Sequence, residues 1–296
     1  MVLKKGLGSL GLGLAGLLLV GGCGGSSIGD GNQVGVRDVF AVNGQGSLVS
    51  FSRITPSFVS TIGNITGLQG GEKILGMDFR PANGLLYALG STGRIYTINT
   101  TTGAASIVGN GPISVALNPT ATGYGFDFNP AVDRIRITNS AGQNIRVNPN
   151  DGLVVDGNPD LGGVQPDGNL SYDANDQNNN TQPQIVGSAY TNNVAGATST
   201  TLFNLDAGTN RLVRQGAVPP ALPGPNSGTL FTINGATNVD ITPNTSFDIS
   251  SNGSAFATTT TGQQTSLYSV NLTNGAFTLI GQLNSDSPIN AIALSP

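Results

Sequence analysis

The chain has 296 residues, 12 of them basic and 16 acidic, a formal net charge of −4, one Cys and no His. The lack of His removes Ser-His-Asp and Cys-His nucleophiles and His-ligated zinc or haem. With so few Lys and Arg there is no basic surface to displace counterions, so no nucleic-acid partner is expected.

The chain opens on Met1-Val2-Leu3-Lys4-Lys5, followed by an uncharged, Leu-rich stretch from Gly6 to Val20. A positive start and a short apolar run form a signal peptide, and this run is too short and too Gly-rich for a spanning helix. The next residues, Val20-Gly21-Gly22-Cys23, resemble a lipobox, where bacterial lipoproteins are cut before a Cys that becomes acylated. The other reading is an ordinary signal peptide with an incidental Cys.

The resemblance implies removal of residues 1–22, lipidation at Cys23, and an extracytoplasmic chain held on a membrane by its lipid. Gly24 stands where an Asp would retain a Gram-negative lipoprotein in the inner membrane, so the implied address is the outer membrane or cell surface. Residues 23–37 read as a flexible tether and residues 38–296 as one domain. Loss of Lys4 and Lys5 takes the net charge from −4 to −6.

That domain is rich in Gly, Thr, Asn and Ser, and its one Glu is Glu72. Such a composition reads as all-β with short strands. One pattern recurs: an apolar strand, a second, a third ending in Asn, Asp or Ser, a turn, and a fourth ending in Gly. Its clearest copy is GMDFRP (76–81), GLLYALG (84–90), GRIYTIN (93–99), TTTG (100–103) and AASIVG (104–109).

A second copy runs from GFDFNP (125–130) through DRIRITN (133–139) and GQNIRVN (142–148) to LVVDG (153–157). A third is read as NLSYDA (169–174), QIVGSAYTN (184–192), TSTTLFNLD (198–206) and RLVRQG (211–216). A fourth is SFDISS (246–251), GSAFATTT (253–260), TSLYSVN (265–271) and AFTLIG (276–281).

The fifth copy is split between the ends: AIALSP (291–296) matches the first strand, and DVFAVNG (38–44), GSLVSFS (46–52) and SFVSTIG (57–63) match the other three. A sheet shared by the two termini is how a β-propeller closes and hides its edges. The expected fold is therefore a β-propeller of five four-stranded blades. The Pro-rich segment 217–228 reads as a surface loop, and 229–241 as an added strand or part of a sixth blade.

DFNPAVDRIRITNSAGQNIRVNPNDG (127–152) and SAYTNNVAGATSTTLFNLD (188–206) resemble signature stretches of a bacterial family named only as domain of unknown function 4394. The resemblance spans roughly Val39 to Leu294. It implies a secreted repeat domain and carries no activity or site residues.

Asp78, Asp127 and Asp248 hold equivalent places on first strands and are the candidate site. Repeat-position Asp residues commonly bond to backbone of their own or the next blade. The alternatives are a Ca²⁺ site, since hard cations take several oxygens, and the acid/base pair of a glycosidase. No other cofactor is expected.

Arg134, Arg136 and Arg146 form a second group, read either as a clamp for an anion or as partners of Asp127, Asp133 or another blade's Asp. Asp151, Asp156, Asp160, Asp167, Asp173 and Asp176, with Asn178 to Asn180, read as a solvated polar stretch without EF-hand spacing. Tyr87, Tyr96, Tyr172 and Tyr268 read as core, leaving Tyr124 and Tyr190 as stacking candidates.

Propellers offer rigid loop faces for recognition, and function lives in sites grafted onto them. The leading expectation is thus a non-enzymatic binding module for a protein or glycan ligand. The alternatives are an Asp-dependent glycan hydrolase and a structural envelope protein.

Overall fold

The structure is a computed structural model that describes residues 36–296 apart from 219, 220 and 236. The leader, Cys23 and nearly all of the tether lie outside the described residues.

Five sheets radiate from a common axis. The first blade holds β1 (Val39–Asn43), β2 (Ser47–Phe51), β3 (Ser60–Asn64) and, paired antiparallel to β1, the C-terminal strand Ile289–Leu294. Val39 faces Leu294 and Ala41 faces Ile292, so the two ends of the domain share one sheet. The second blade is β4 (Ile74–Phe79), β5 (Leu86–Gly90), β6 (Ile95–Ile98) and β7 (Ala105–Val108).

The third blade has β8 (Tyr124–Asn129), β9 (Arg134–Asn139) and β10 (Asn144–Val147). In place of a full fourth strand, Val154 makes a single bridge to Val147. The fifth blade is β16 (Ser246–Ile249), β17 (Ala255–Thr261), β18 (Gln264–Val270) and β19 (Phe277–Gln282), and the C-terminal strand of the first blade is β20.

The fourth blade corrects the sequence reading. Its innermost strand is β12 (Ile185–Tyr190), followed outward by β13 (Leu202–Asp206), β14 (Arg211–Gln215) and β15 (Thr229–Thr232). The segment NLSYDA, expected innermost, instead supplies β11 (Ser171–Tyr172), parallel to β15 at the outer edge. Segment 229–241 thus gives the blade its fourth antiparallel strand rather than part of a sixth blade.

The physical reason lies in burial. An inner strand packs on both faces, and every residue of β12 is buried, whereas Ser171 is exposed. Leu170 and Tyr172 therefore join a separate small cluster within the blade, with Ile185, Val213 and Leu230, rather than the packing between neighbouring inner strands.

The turn chemistry explains why the register was misleading. In three blades Asn99, Asn148 and Asn271 accept backbone N–H groups two residues on, and a glycine with positive φ follows at 103, 152 and 275. This is the Asx-turn device with a left-handed residue to reverse the chain. The fourth blade uses the same device as Asp206 with Asn210 at φ 55, but one strand nearer the axis.

Around the axis β20 lies beside β4, β4 beside β8, β8 beside β12, β12 beside β16, and β16 beside β20. The apolar side chains bracketing each inner-strand centre fill the gaps between blades, as with Met77 and Phe79, Phe126 and Phe128, and Phe247 and Ile249. Burying each such side chain contributes about 1.5–3 kcal/mol. Close approach is needed: a methyl on Gly76 would lie 2.7 Å from Phe126 Cβ, and one on Gly187 2.8 Å from Phe247 Cβ.

Candidate functional site

The strand register brings Asp78, Asp127 and Asp248 together. They occupy one layer of the ring, on β4, β8 and β16, and the same layer holds Ala189 on β12 and Ala293 on β20. One carboxylate oxygen from each Asp lies within 4.8 Å of the others, and all three side chains are buried.

Each carboxylate also reaches the next blade. Asp78 Oδ2 accepts the Phe128 N–H at 2.9 Å, Asp127 Oδ1 that of Tyr190 at 3.0 Å, and Asp248 Oδ2 that of Leu294 at 2.6 Å. Where the preceding blade offers Ala189 instead of Asp, the N–H of Ile249 turns to its own neighbour, Asp248 Oδ1, at 2.6 Å. The three acids therefore fasten adjoining blades at the axis, the backbone role weighed for them from sequence.

Burial pushes the carboxyls of Asp78 and Asp127 well above the usual carboxylate range. Repulsion from Asp248 adds to this at Asp78, and from Asp78 and then Asp248 at Asp127. Burial raises Asp248 to about 7. A glycosidase pair must flank a sugar admitted from solvent; these carboxylates are 0–2 % exposed. A narrow axial cavity of ≈ 20 Å³, lined by all five inner strands, lies one layer along from them.

The arginines line a second, larger site. A recess of ≈ 420 Å³ between the third and fourth blades is lined by Arg134, Arg136, Arg146, Val132, Tyr190 and Asn226, among others. Arg136 is 1 % exposed and held on every side: it donates to Tyr190 Oη at 3.2 Å, Asn144 Oδ1 at 2.7 Å, Asp167 Oδ2 at 2.6 Å and Asn226 Oδ1 at 2.7 Å. Arg146 grips the same Asp167 through Nε and Nη2, both at 2.7 Å.

Arg134 bonds only to the carbonyls of Val132 and Asp133, and among the described residues it has no carboxylate partner. Two of the three guanidinium groups thus share one carboxylate, and the third, Arg134, is left without one. Of the partners considered from sequence, Asp133 pairs with Arg80 at 2.5 Å and Asp127 with backbone, so the partner of Arg136 and Arg146 is Asp167.

Asp167 corrects the picture of a solvated polar stretch, since it is 4 % exposed. Its neighbours do cap backbone: Asp151 accepts from Leu153, Asp156 from Asn158 and Gln165, and Asp176 from Thr232. A lone Asp amid solvated ones carries no sequence mark of burial; Arg136, centred in an apolar strand, was the available signal that a buried acid must exist. Tyr190 is 1 % exposed and offers no stacking face, while Tyr124 is half-buried at the axial cavity. Tyr87, Tyr96 and Tyr172 are core, and Tyr268 packs edge-on against Phe277 at 5.9 Å.

Among curated proteins, none matches the sequence. Solved structures do. The chain is 13 % identical to a functionally unknown protein of Desulfotomaculum acetoxidans, with TM-score 0.38 over 86 % of this chain and 73 % of that one. It is 14 % identical to a protein of unknown function from Bacteroides thetaiotaomicron, with TM-score 0.43 over 88 % of this chain and 63 % of that one. With a glutaminyl cyclase of Myxococcus xanthus the identity is 13 % and the TM-score 0.41, over 74 % of this chain and 79 % of that one.

The fold follows from the strand order and ring closure of this chain itself, and the resemblance noted in its second and third repeats extends along most of its length: residues 47–293 match the family model described as domain of unknown function (DUF4394), and the chain belongs to that family.

Proposed function

We propose that this protein is a non-enzymatic binding module, lipid-anchored through Cys23 outside the cytoplasm, that takes an anionic group of a protein or glycan partner into the recess between its third and fourth blades. The observation that carries this reading is the charge imbalance there: Arg134, Arg136 and Arg146 against Asp167 alone, on a protein of net negative charge. Arg136 and Arg146 are pre-oriented by Asp167, and Arg134 retains donors for bidentate capture of a carboxylate. Val132, 57 % exposed at the rim, adds an apolar contact.

The hydrolase alternative has less support, because the converging carboxylates are enclosed and occupied with backbone. The test is a glycan array and an acidic-peptide panel probed with the soluble fragment from Asp30 onward, with and without Ca²⁺. The reading expects anionic ligands to bind and neutral ones not to, with binding lost in Arg134→Ala. Silence on both panels would leave the structural envelope role in its place. For the anchor, radiolabelled palmitate should enter the wild type and not Cys23→Ser.

A further inference from the structure

We propose that the axial carboxylates form a binding site for one hard divalent cation of the Ca²⁺ class. The geometry carries this. Asp78, Asp127 and Asp248 each present an oxygen within 4.8 Å of the others, so an ion at their centre lies no more than about 2.8 Å from each, and side-chain shifts of a few tenths of an ångström bring all three to the roughly 2.3–2.6 Å that oxygens around Ca²⁺ adopt. The donors are all hard oxygens, the ligand set such a cation prefers.

Two further atoms point to a missing ligand. Asp78 Oδ1 is buried without a hydrogen-bond partner, although its Oδ2 is engaged by Phe128. Ser246 Oγ is likewise buried and unpartnered; it lies two residues before Asp248 on β16 and lines the axial cavity. An unmet buried polar atom costs about 1–3 kcal/mol, and native proteins keep few of them.

Charge makes the same demand. Three buried carboxylates have no Lys or Arg partner among the described residues. The two remaining inner strands bring Ala189 and Ala293 to this layer. Backbone N–H groups hold one oxygen of Asp78 and of Asp127, through Phe128 and Tyr190, and both oxygens of Asp248, through Leu294 and Ile249, leaving the cluster fixed before an ion arrives. The axial cavity has room for a water molecule to complete the shell.

The test is titration calorimetry of CaCl₂ into the chelator-treated fragment from Asp30 onward, which contains the whole closed ring, alongside thermal unfolding with and without Ca²⁺. One ion per chain and a raised Tm are expected. Asp78→Asn keeps an oxygen for the Phe128 N–H while removing charge and should weaken binding about tenfold or more; Asp151→Asn/Asp156→Asn in the exposed stretch should leave it unchanged. No heat and no Tm change in the wild type would overturn the site, as would loss in the exposed-stretch variant alone. Because the probe is the ion by itself, this outcome is independent of whether the arginine recess binds a partner.

Discussion

Asp248 Oδ2 accepts the backbone N–H of Leu294 at 2.6 Å, so a carboxylate of the fifth blade holds the C-terminal strand that closes the ring. The same side chain accepts from Ile249, which makes it the acceptor for two buried donors. Asp248→Ala leaves both unmet at about 1–3 kcal/mol each, partly offset by relief of repulsion with Asp78. A net loss of about 2 kcal/mol in urea unfolding is expected, and a smaller one for Asp248→Asn.

Closure itself predicts a larger effect. Deleting residues 289–296 strips β1 of its inner partner, β20, and exposes a strand edge beside unfilled apolar surface. The truncated fragment should lose its single cooperative transition and aggregate, measured by calorimetry and size-exclusion chromatography.

Asp167 should be worth more to stability than its place in a polar stretch suggests. Its removal strands the guanidinium of Arg136, both side chains being 1 % exposed. Breaking one side of a buried pair costs about 3–5 kcal/mol, so Asp167→Ala should approach unfolding, whereas Arg134→Ala should stay within about 0.5 kcal/mol of wild type.

The axial acids also set a pH dependence in metal-free buffer. Free Asp titrates near 3.9, and these carboxyls hold their protons to higher pH in the folded chain. Between the two values the unfolded state binds fewer protons, so stability falls as pH rises. The contribution is fully present below about pH 4 and, for Asp248, is lost as pH climbs through about 7. The groups facing this layer are Asp78, Asp127 and Asp248, with Ala189 and Ala293 from β12 and β20; Arg136, across the ladder from Asp127, is committed to Asp167. Denaturation midpoints should fall from pH 4.5 to pH 8, less steeply in Asp127→Asn.

Close blade contact can be tested at glycines. Gly76→Ala and Gly187→Ala would push a methyl against the Cβ of Phe126 and Phe247. Overpacking of this kind costs about 1–3 kcal/mol, readable as a lowered Tm, while Gly111→Ala, which meets open space, should be neutral.

Blade number, ring closure and the convergence of the three acids were legible because period-two apolar pairs and Asx turns repeat along the chain. The fourth blade was not, for a local reason: the Asp206 to Asn210 turn copies the others while sitting one strand nearer the axis, and β12 carries the polar Ser188 before Ala189, where the other inner strands have Met77, Phe126, Phe247 and Ile292. The arginine recess was legible only as a group of three residues. Asp167 lies 31 residues from Arg136 in an irregular segment, and nothing in its surroundings marks which of six Asp side chains folds inward.

The most direct test of the binding account is the affinity of the Asp30-onward fragment for an anionic ligand, compared across wild type, Arg134→Ala and Asp127→Asn. Binding that is lost in Arg134→Ala and kept in Asp127→Asn is the predicted result. Turnover of a glycan by the wild type that disappears in Asp127→Asn, with Arg134→Ala unaffected, would contradict it.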